Sequence, residues 1–216
     1  MDIASIISTA ASGIFLLSAV VQIVLLFMGR GSAGKVGPWL SVSASVLLIV
    51  VLVLRSLEVR FVALTSTYES LTFYAAVIGF IAFWYRFQKK FAFHAGLQFG
   101  ATMVAVVLLA VASSPLIPKE ALPPIPALRS AWLLLHVSFS FIGEAFFVAS
   151  FVTAIMFLAT KQDAKRLELD RLTYTAIAVG YPFFTAGARV FGAIWAEQAW
   201  GRWWSWDPKE TWGLVT

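Results

Sequence analysis

Long apolar runs, each near the length that crosses a membrane, dominate this sequence of 216 residues. A helix needs roughly 20 mainly apolar residues to span the hydrocarbon core of a bilayer. Charged and turn residues bound six such runs, which cover residues 3–28, 38–54, 68–85, 93–113, 131–160 and 172–191. Hydrophobic residues make up 60% of the chain and charged residues 12%, a balance that a soluble domain does not show. We therefore predict an all-α, polytopic transmembrane helix bundle, forming a single integral membrane domain over residues 1–216.

The basic residues lie in short clusters between the apolar runs, which is typical of membrane loops. The net charge of +5 therefore indicates a lipid bilayer as the partner of this surface, and we expect no nucleic-acid binding. The densest clusters fall in the connections 29–37, 86–90 and 161–171. The positive-inside rule places those connections in the cytoplasm. The N-terminus and the segment after residue 191 are then predicted to lie on the outer face.

Several helix starts are visible as capping patterns. Ser66 and Glu69 have the spacing of a capping box ahead of an apolar run, and Ser130 can cap the fifth helix. Asp207, Pro208 and Glu210 fit the N-cap, N1 and N3 positions of a further helix. We thus predict six complete helices and the start of a seventh. Since Thr216 follows only about two turns later, we expect the chain to stop inside an element.

Six of the nine tryptophans are concentrated between residues 195 and 212, at Trp195, Trp200, Trp203, Trp204, Trp206 and Trp212. An ordinary aromatic belt would spread tryptophan over many helix ends on both membrane faces. The cluster instead favours a flat apolar shelf on which a large planar ligand can stack. A surface that contacts a partner or the membrane remains an alternative.

If the planar ligand is haem, its iron needs an axial ligand, and histidine is the most common one. The chain has two histidines. His136 lies roughly 8 Å below the start of the fifth helix, on the same membrane face as the tryptophans. His94 opens the fourth helix on the opposite face, where an interfacial role is expected. For His136 two interpretations stay open, a hydrogen-bonded packing residue and a functional residue.

The surroundings of His136 allow further expectations. Ser140 and Gly143 share its helix face, and because both are small we expect a bulky group to approach there. Glu144, near the middle of the same helix, is expected to be protonated or paired with Arg189. Arg189 could instead bind a ligand carboxylate. The outer connection between residues 115 and 126 holds five prolines and should be extended and stiff.

The sequence at positions 200–212, Trp-Gly-Arg-Trp-Trp-Ser-Trp-Asp-Pro-Lys-Glu-Thr-Trp, resembles the tryptophan-rich WWD signature of haem-handling proteins. Its continuation after the aspartate is similar to the CcsA (ResC) family, the integral membrane half of the system II cytochrome c synthase. Residues 192–196, Gly-Ala-Ile-Trp-Ala, also fit that family. Weaker similarity occurs at Tyr68-Glu69-Ser70 and at His136-Val137.

This resemblance implies that haem b is held at the outer face on a WWD segment, here residues 192–212, between flanking histidines. His136 matches the flanking histidine that precedes the motif and would be an axial ligand of the haem iron. The implied haem-binding residues are His136, Trp195, Trp200, Trp203, Trp204, Trp206, Asp207 and Trp212. The family places two further functional histidines after the motif, a region that this sequence does not include.

The resemblance also implies a division of the chain and a set of partners. Residues 1–130 would supply four helices and their loops, and residues 131–216 the haem-handling part. Partners would be a CcsB (ResB) type membrane protein and apocytochrome c, whose CXXCH thiols receive the haem vinyl groups. The chain would be an incomplete subunit of a haem lyase, in a bacterial cytoplasmic or plastid thylakoid membrane.

Two functions of other classes stay open at this point. One is a transporter of another planar or lipid-like molecule, with the tryptophan segment as an outer gate. The other is a non-catalytic subunit that uses the tryptophans to dock a partner protein.

Overall fold

The structure is a computed structural model that describes residues 3–27, 36–86 and 94–215. Within these ranges the regular elements are all helical, as predicted. They are α1 (Ile3–Phe27), α2 (Val36–Val59), α3 (Thr67–Arg86), α4 (His94–Ala112), a 3-10 turn (Pro126–Leu128), α5 (Ala131–Ala159), α6 (Asp163–Phe184), a π-helical segment (Thr185–Phe191), α7 (Gly192–Trp200) and α8 (Pro208–Val215). The predicted connections at 29–37 and 86–90 lie largely outside the described residues, as does the predicted helix start at residue 93.

The helices pack as a ring of four with a further pair beside it. α1 contacts α2 and α4, and α3 contacts the same two helices, so that α1 to α4 enclose a common core. α5 lies against α3 and α4 and has α6 as its main partner. The π-helical segment then packs on α5, and α7 and α8 contact that segment. The functional candidates of the sequence therefore gather around the outer part of α5.

Small side chains allow this close packing. The core of the four-helix ring contains fully buried alanines such as Ala11, Ala44 and Ala75. Between α5 and α6 two glycines face each other: a Cβ on Gly143 would lie 2.8 Å from the Gly180 carbonyl oxygen, and one on Gly180 would lie 2.8 Å from that of Gly143. In membranes, where apolar burial does not drive association, such close backbone contact stabilises helix pairs.

By length and composition, five of the described helices are able to cross a membrane: Ile3–Leu25, Val36–Val59, Ala95–Ala112, Ala131–Ala159 and Asp163–Trp200. The prediction of a polytopic bundle is confirmed, with a slightly different helix count, because α3 is not among the five. The buried Glu69 and several tyrosines reduce the mean hydropathy of α3. α3 nevertheless lies inside the bundle, between α2, α4 and α5.

The predicted sixth helix, residues 172–191, is wrong at both ends. The helix begins nine residues earlier, at Asp163, because the charged residues before Leu172 are excluded from lipid but are compatible with a helix. At the other end the chain stays helical through the π-helical segment and α7 as far as Trp200. There Gly201, with φ of 73°, provides a left-handed C-cap, and its N–H donates to the Glu197 carbonyl at 2.8 Å.

One end of the bundle carries the α2–α3 turn (residues 60–66), the α4–α5 connection (residues 113–130) and the segment 192–215. We call it the tryptophan end. Hydrogen bonds join these parts directly: Trp195 Nε1 donates to the Ala127 carbonyl at 3.0 Å, and Arg55 Nη1 donates to the Lys119 carbonyl at 2.9 Å. The prediction that the fifth helix begins on the side where the sixth ends is therefore confirmed.

Candidate functional site

His136 is held by the main chain of the π-helical segment. Ser130 starts α5 by accepting a hydrogen bond from the Trp132 N–H at 3.2 Å, as predicted, and His136 follows on the second turn. Its Nδ1 lies 2.9 Å from the Gly187 carbonyl oxygen. The Gly192 N–H also donates to that oxygen, across the wide turn of the π-helix. Single π-helical turns are frequent at functional sites.

This contact determines which ring nitrogen of His136 carries the hydrogen. A carbonyl oxygen only accepts hydrogen bonds, so Nδ1 must be the protonated nitrogen. Nε2 then has a free lone pair. Among the described residues no hydrogen bond to Nε2 is seen. An imidazole held in this way is suited to bind a metal through Nε2.

Trp195 and Gly192 complete the surroundings of the His136 ring. The Trp195 indole lies almost parallel to it, with 6.1 Å between the ring centroids and 8° between the planes. Gly192 provides the necessary space, because a Cβ at this position would lie 2.9 Å from His136 Nδ1. The hydrogen bond from Trp195 to Ala127 fixes the indole in turn. The ring of His136 therefore has little freedom to rotate.

A cavity of about 620 Å³ opens beside His136. Among the predicted site residues, six line this cavity: His136, Trp195, Trp200, Trp203, Trp204 and Asp207. Trp206 and Trp212 do not line it; they are 69% and 72% exposed. The structure thus brings together a histidine and four tryptophans that are up to 68 residues apart in sequence. Trp206 is outside the cavity but packs edge-on against Trp204, with 5.8 Å between the ring centroids.

Charged side chains of both signs line the cavity, but the acidic ones at its mouth are engaged in helix capping. Glu210 Oε2 accepts the Ser205 N–H at 2.6 Å and the Asp207 N–H at 3.3 Å, while Asp207 Oδ1 accepts the Glu210 N–H at 2.7 Å. This is the predicted capping arrangement of α8. The basic residues Arg189, Arg202 and Lys209 also line the cavity, and they make this wall suitable for an anionic group.

The expected pairing of Arg189 with Glu144 is not seen among the described residues. The Arg189 guanidinium donates instead to the Gly213 carbonyl oxygen, from Nη2 at 2.8 Å and from Nε at 3.2 Å, and to the Tyr181 hydroxyl at 2.9 Å. Arg189 thereby ties the π-helical segment to α8. Glu144 lines the cavity from α5, one turn beyond Ser140.

The neighbouring helix approaches the face of α5 that carries Ser140 and Gly143. A Cβ on Gly187 would collide with the Ser140 nitrogen, and one on Gly143 would lie 2.6 Å from the Phe184 nitrogen. The bulky group that approaches this face is therefore the helix backbone, and this approach brings the Gly187 carbonyl to His136. Ser140 still lines the cavity, whereas Gly143 is not part of its lining.

Two buried polar atoms in the cavity lining have no hydrogen-bond partner, Trp204 Nε1 and Ser140 Oγ. Buried polar groups are normally satisfied by protein, water or ligand. Unsatisfied donors at this position are consistent with a ligand that offers acceptor atoms. Sequence reasoning missed the roles of Gly187, Gly192 and the Ala127 carbonyl; the small residues Gly187 and Gly192, which flank Arg189, were the only available signal.

The residues that form this site all lie in a part of the chain that matches a known protein family. The model of the family described as "Cytochrome C assembly protein" matches residues 64–216. The protein of Synechococcus sp. (strain RCC307) named cytochrome c biogenesis protein CcsA is 32% identical over 222 residues, which cover 86% of this chain and 70% of that protein.

Two algal proteins with the same name are also similar. The one from Pyropia yezoensis is 28% identical over 264 residues, covering 98% of this chain and 81% of that protein. The one from Chlamydomonas reinhardtii is 35% identical over 186 residues, covering 80% of this chain. That match spans only 52% of the Chlamydomonas protein, so about half of the larger relative has a counterpart here.

Proposed function

Since the chain belongs to the cytochrome c assembly protein family and is a CcsA-type cytochrome c biogenesis protein, we propose that its cavity at the tryptophan end holds haem for attachment to apocytochrome c. Haem is the cargo in this proposal. The tryptophan end would face outward, away from the cytoplasm, in a bacterial cytoplasmic or plastid thylakoid membrane. Basic residues at the opposite end, such as Lys161, Lys165 and Arg166, support this orientation.

The observation that carries the proposal is the hydrogen bond between His136 Nδ1 and the Gly187 carbonyl. It leaves Nε2 of His136 available, and four indole rings line the same cavity as His136. A histidine whose second nitrogen donates to a main-chain carbonyl is the usual form of a metal-binding imidazole. His136 would therefore be one axial ligand of the haem iron.

The rest of the cavity also fits haem. Its volume of about 620 Å³ lies in the range of ligand pockets, roughly 300–1,000 Å³. The indoles of Trp195, Trp200, Trp203 and Trp204 provide surfaces on which a porphyrin can stack. Arg189, Arg202 and Lys209 would attract its carboxylates. Asp207 would act mainly through α8, which it caps.

In this function the cargo supplies the reactive vinyl groups, which become thioether-linked to the CXXCH cysteines of apocytochrome c. The protein binds and orients the cargo and keeps it out of bulk water. We further propose a CcsB (ResB) type membrane partner. Trp206 and Trp212, which are exposed and outside the cavity, would then contact a partner or the membrane interface and not the haem face.

The test is the absorption spectrum of the detergent-purified protein, expressed with abundant haem together with a CcsB-type partner. We expect a Soret band that His136→Ala weakens or shifts and that added imidazole restores. His94→Ala is the matched control, because it removes the only other histidine of the chain and should leave the band unchanged. A wild-type protein without a Soret band under these conditions would refute the haem function and leave transport and partner docking as the functions to test.

A further inference from the structure

A buried ion pair lies at the tryptophan end but outside the cavity. The side chains of Arg55 on α2 and Glu69 on α3 are each 4% exposed, with 3.3 Å between Nη2 and Oε1. Neither residue lines the cavity. Desolvating two charges is costly unless their remaining hydrogen-bonding groups are also satisfied. The contacts of this pair therefore show what it holds in place.

Both partners are satisfied by main-chain groups. Glu69 Oε2 accepts the N–H groups of Thr65 and Ser66, both at 3.0 Å, and so fixes the α2–α3 turn. Arg55 Nη1 and Nη2 donate to the carbonyl oxygens of Lys119 and Glu120, at 2.9 and 3.2 Å. The guanidinium also lies 4.9 Å from the centroid of the Tyr68 ring. Arg55 thus joins the four-helix ring to the connection between α4 and α5.

The connection continues from residues 119–120 as a proline-rich stretch. Residues 122–126 read Leu-Pro-Pro-Ile-Pro, and Ile125 has φ of −61° and ψ of 156°, the polyproline II conformation. Such segments are stiff because proline fixes φ. We call residues 120–126 the proline strut. The 3-10 turn Pro126–Leu128 follows directly.

The far end of the proline strut meets the cavity wall. The Ala127 carbonyl accepts the hydrogen bond of Trp195 Nε1 at 3.0 Å, and the Trp195 ring lies parallel to that of His136. A second contact joins Ser130 Oγ and Gln198 Oε1 at 3.2 Å. A rigid segment therefore runs from the guanidinium of Arg55 to the indole that packs on His136.

We infer that Arg55, paired with Glu69, is a positioning residue for the Trp195–His136 wall, and that the proline strut transmits its effect. The inference rests on the proposed function only where it concerns haem. The contacts that run from Arg55 through the proline strut to Trp195 lie within the chain and do not depend on haem. It also gives a function to the Tyr68-Glu69-Ser70 segment, which lies in the other half of the bundle from the cavity.

Arg55→Lys is the sharpest test at the ion pair. Lysine keeps the positive charge beside Glu69 but lacks the planar fork that reaches two carbonyl oxygens at once. We expect the dissociation constant for haem to rise roughly fivefold or more, as for a moderate coupling between distant sites. Amide hydrogen exchange in residues 126–136 of the haem-free protein should become faster. The matched control is Arg60→Lys, since Arg60 is an exposed basic residue in the same turn, and it should change neither quantity.

Pro123→Gly tests the strut without touching the ion pair, and it keeps the inference testable if Arg55→Lys does not fold. Pro123 is exposed, so its replacement mainly loosens the chain. We expect the same two changes, and in the double variant less than the sum of the single effects, because both act on one path.

The possible outcomes separate the two proposals. If the wild-type protein binds haem and both variants behave like Arg60→Lys, the positioning role of Arg55 is wrong. If the wild-type protein binds no haem, the proposed function fails, and the hydrogen-exchange comparison still decides whether Arg55 holds the wall.

Discussion

At the scale of single residues, His136 takes its orientation from a main-chain oxygen and not from a carboxylate. A carboxylate partner would make the imidazole a more basic metal ligand than a main-chain carbonyl partner does. The position of that carbonyl depends on two glycines. Gly187 allows the main chain to approach Ser140, and Gly192 leaves room for the imidazole.

The first prediction concerns Gly192→Ala. The new Cβ would lie 2.9 Å from His136 Nδ1, so the ring must shift and its bond to Gly187 must lengthen. We expect haem binding to weaken roughly tenfold, equivalent to about 1.4 kcal/mol, measured by titration of the Soret band. Gly13→Ala in α1 is the control, because nothing lies within 4 Å of its Cβ position. Equal haem affinities for the two variants would contradict the proposed position of the His136 ring against Gly192.

At the scale of elements, the helix starts were the features best predicted from the sequence. Ser66 with Glu69, Ser130, and Asp207 with Glu210 all cap the helices that they were expected to cap. Capping depends on groups within a few residues of each other, so local sequence is sufficient. Because the groups that cap α8 also lie within a few residues of each other, single substitutions can test their role directly.

The second prediction separates the capping role of Asp207 from a charge role. Asp207→Asn keeps an oxygen that can accept the Glu210 N–H, and Asp207→Ala removes it. We expect Asp207→Ala to destabilise α8 by about 1 kcal/mol, seen as faster amide exchange in residues 208–215, while Asp207→Asn stays close to wild type. Faster exchange in both variants would show that the carboxylate charge matters beyond capping.

The end of the sixth predicted helix shows where local reasoning fails. The prediction ends this helix at residue 191, yet the chain remains helical to Trp200. Contact with α5, which needs the small residues Gly187 and Gly192, stabilises the continued helix. The sequence placed His136 and the tryptophans at the same end of the bundle. It could not show that Trp206 and Trp212 lie outside the cavity, because that depends on the left-handed conformation at Trp206, with φ of 58°, and on the packing of α8.

At the scale of the whole molecule, the four-helix ring and the α5–α8 part meet along α3, α4 and α5. The connection between residues 113 and 130 joins the two parts at the tryptophan end. The cavity lies between α5, the π-helical segment and the segment 192–215. The orientation of the tryptophan end in the membrane therefore determines which compartment has access to the cavity.

The third prediction concerns this orientation. The chain has no cysteine, so single cysteines can be introduced without a background signal. We expect Leu116→Cys, at a position 89% exposed in the 113–130 connection, to react with a membrane-impermeant maleimide in intact cells. Gln162→Cys, exposed at the opposite end, should react only after permeabilisation. The reverse pattern would place the cavity on the cytoplasmic face.

The π-helical turn has a consequence for which mutations can inactivate the protein. The acceptor for His136 is a backbone oxygen, so a substitution at Gly187 can displace this oxygen but cannot delete it. Removing one residue between Thr185 and Phe191 would let this stretch adopt ordinary α-helical hydrogen bonding. The wide turn that presents the Gly187 carbonyl to both Gly192 and His136 would then be lost. In a random library, single-codon deletions in this short stretch and substitutions at Gly187 should therefore be over-represented among loss-of-function clones, relative to substitutions at the exposed Val190.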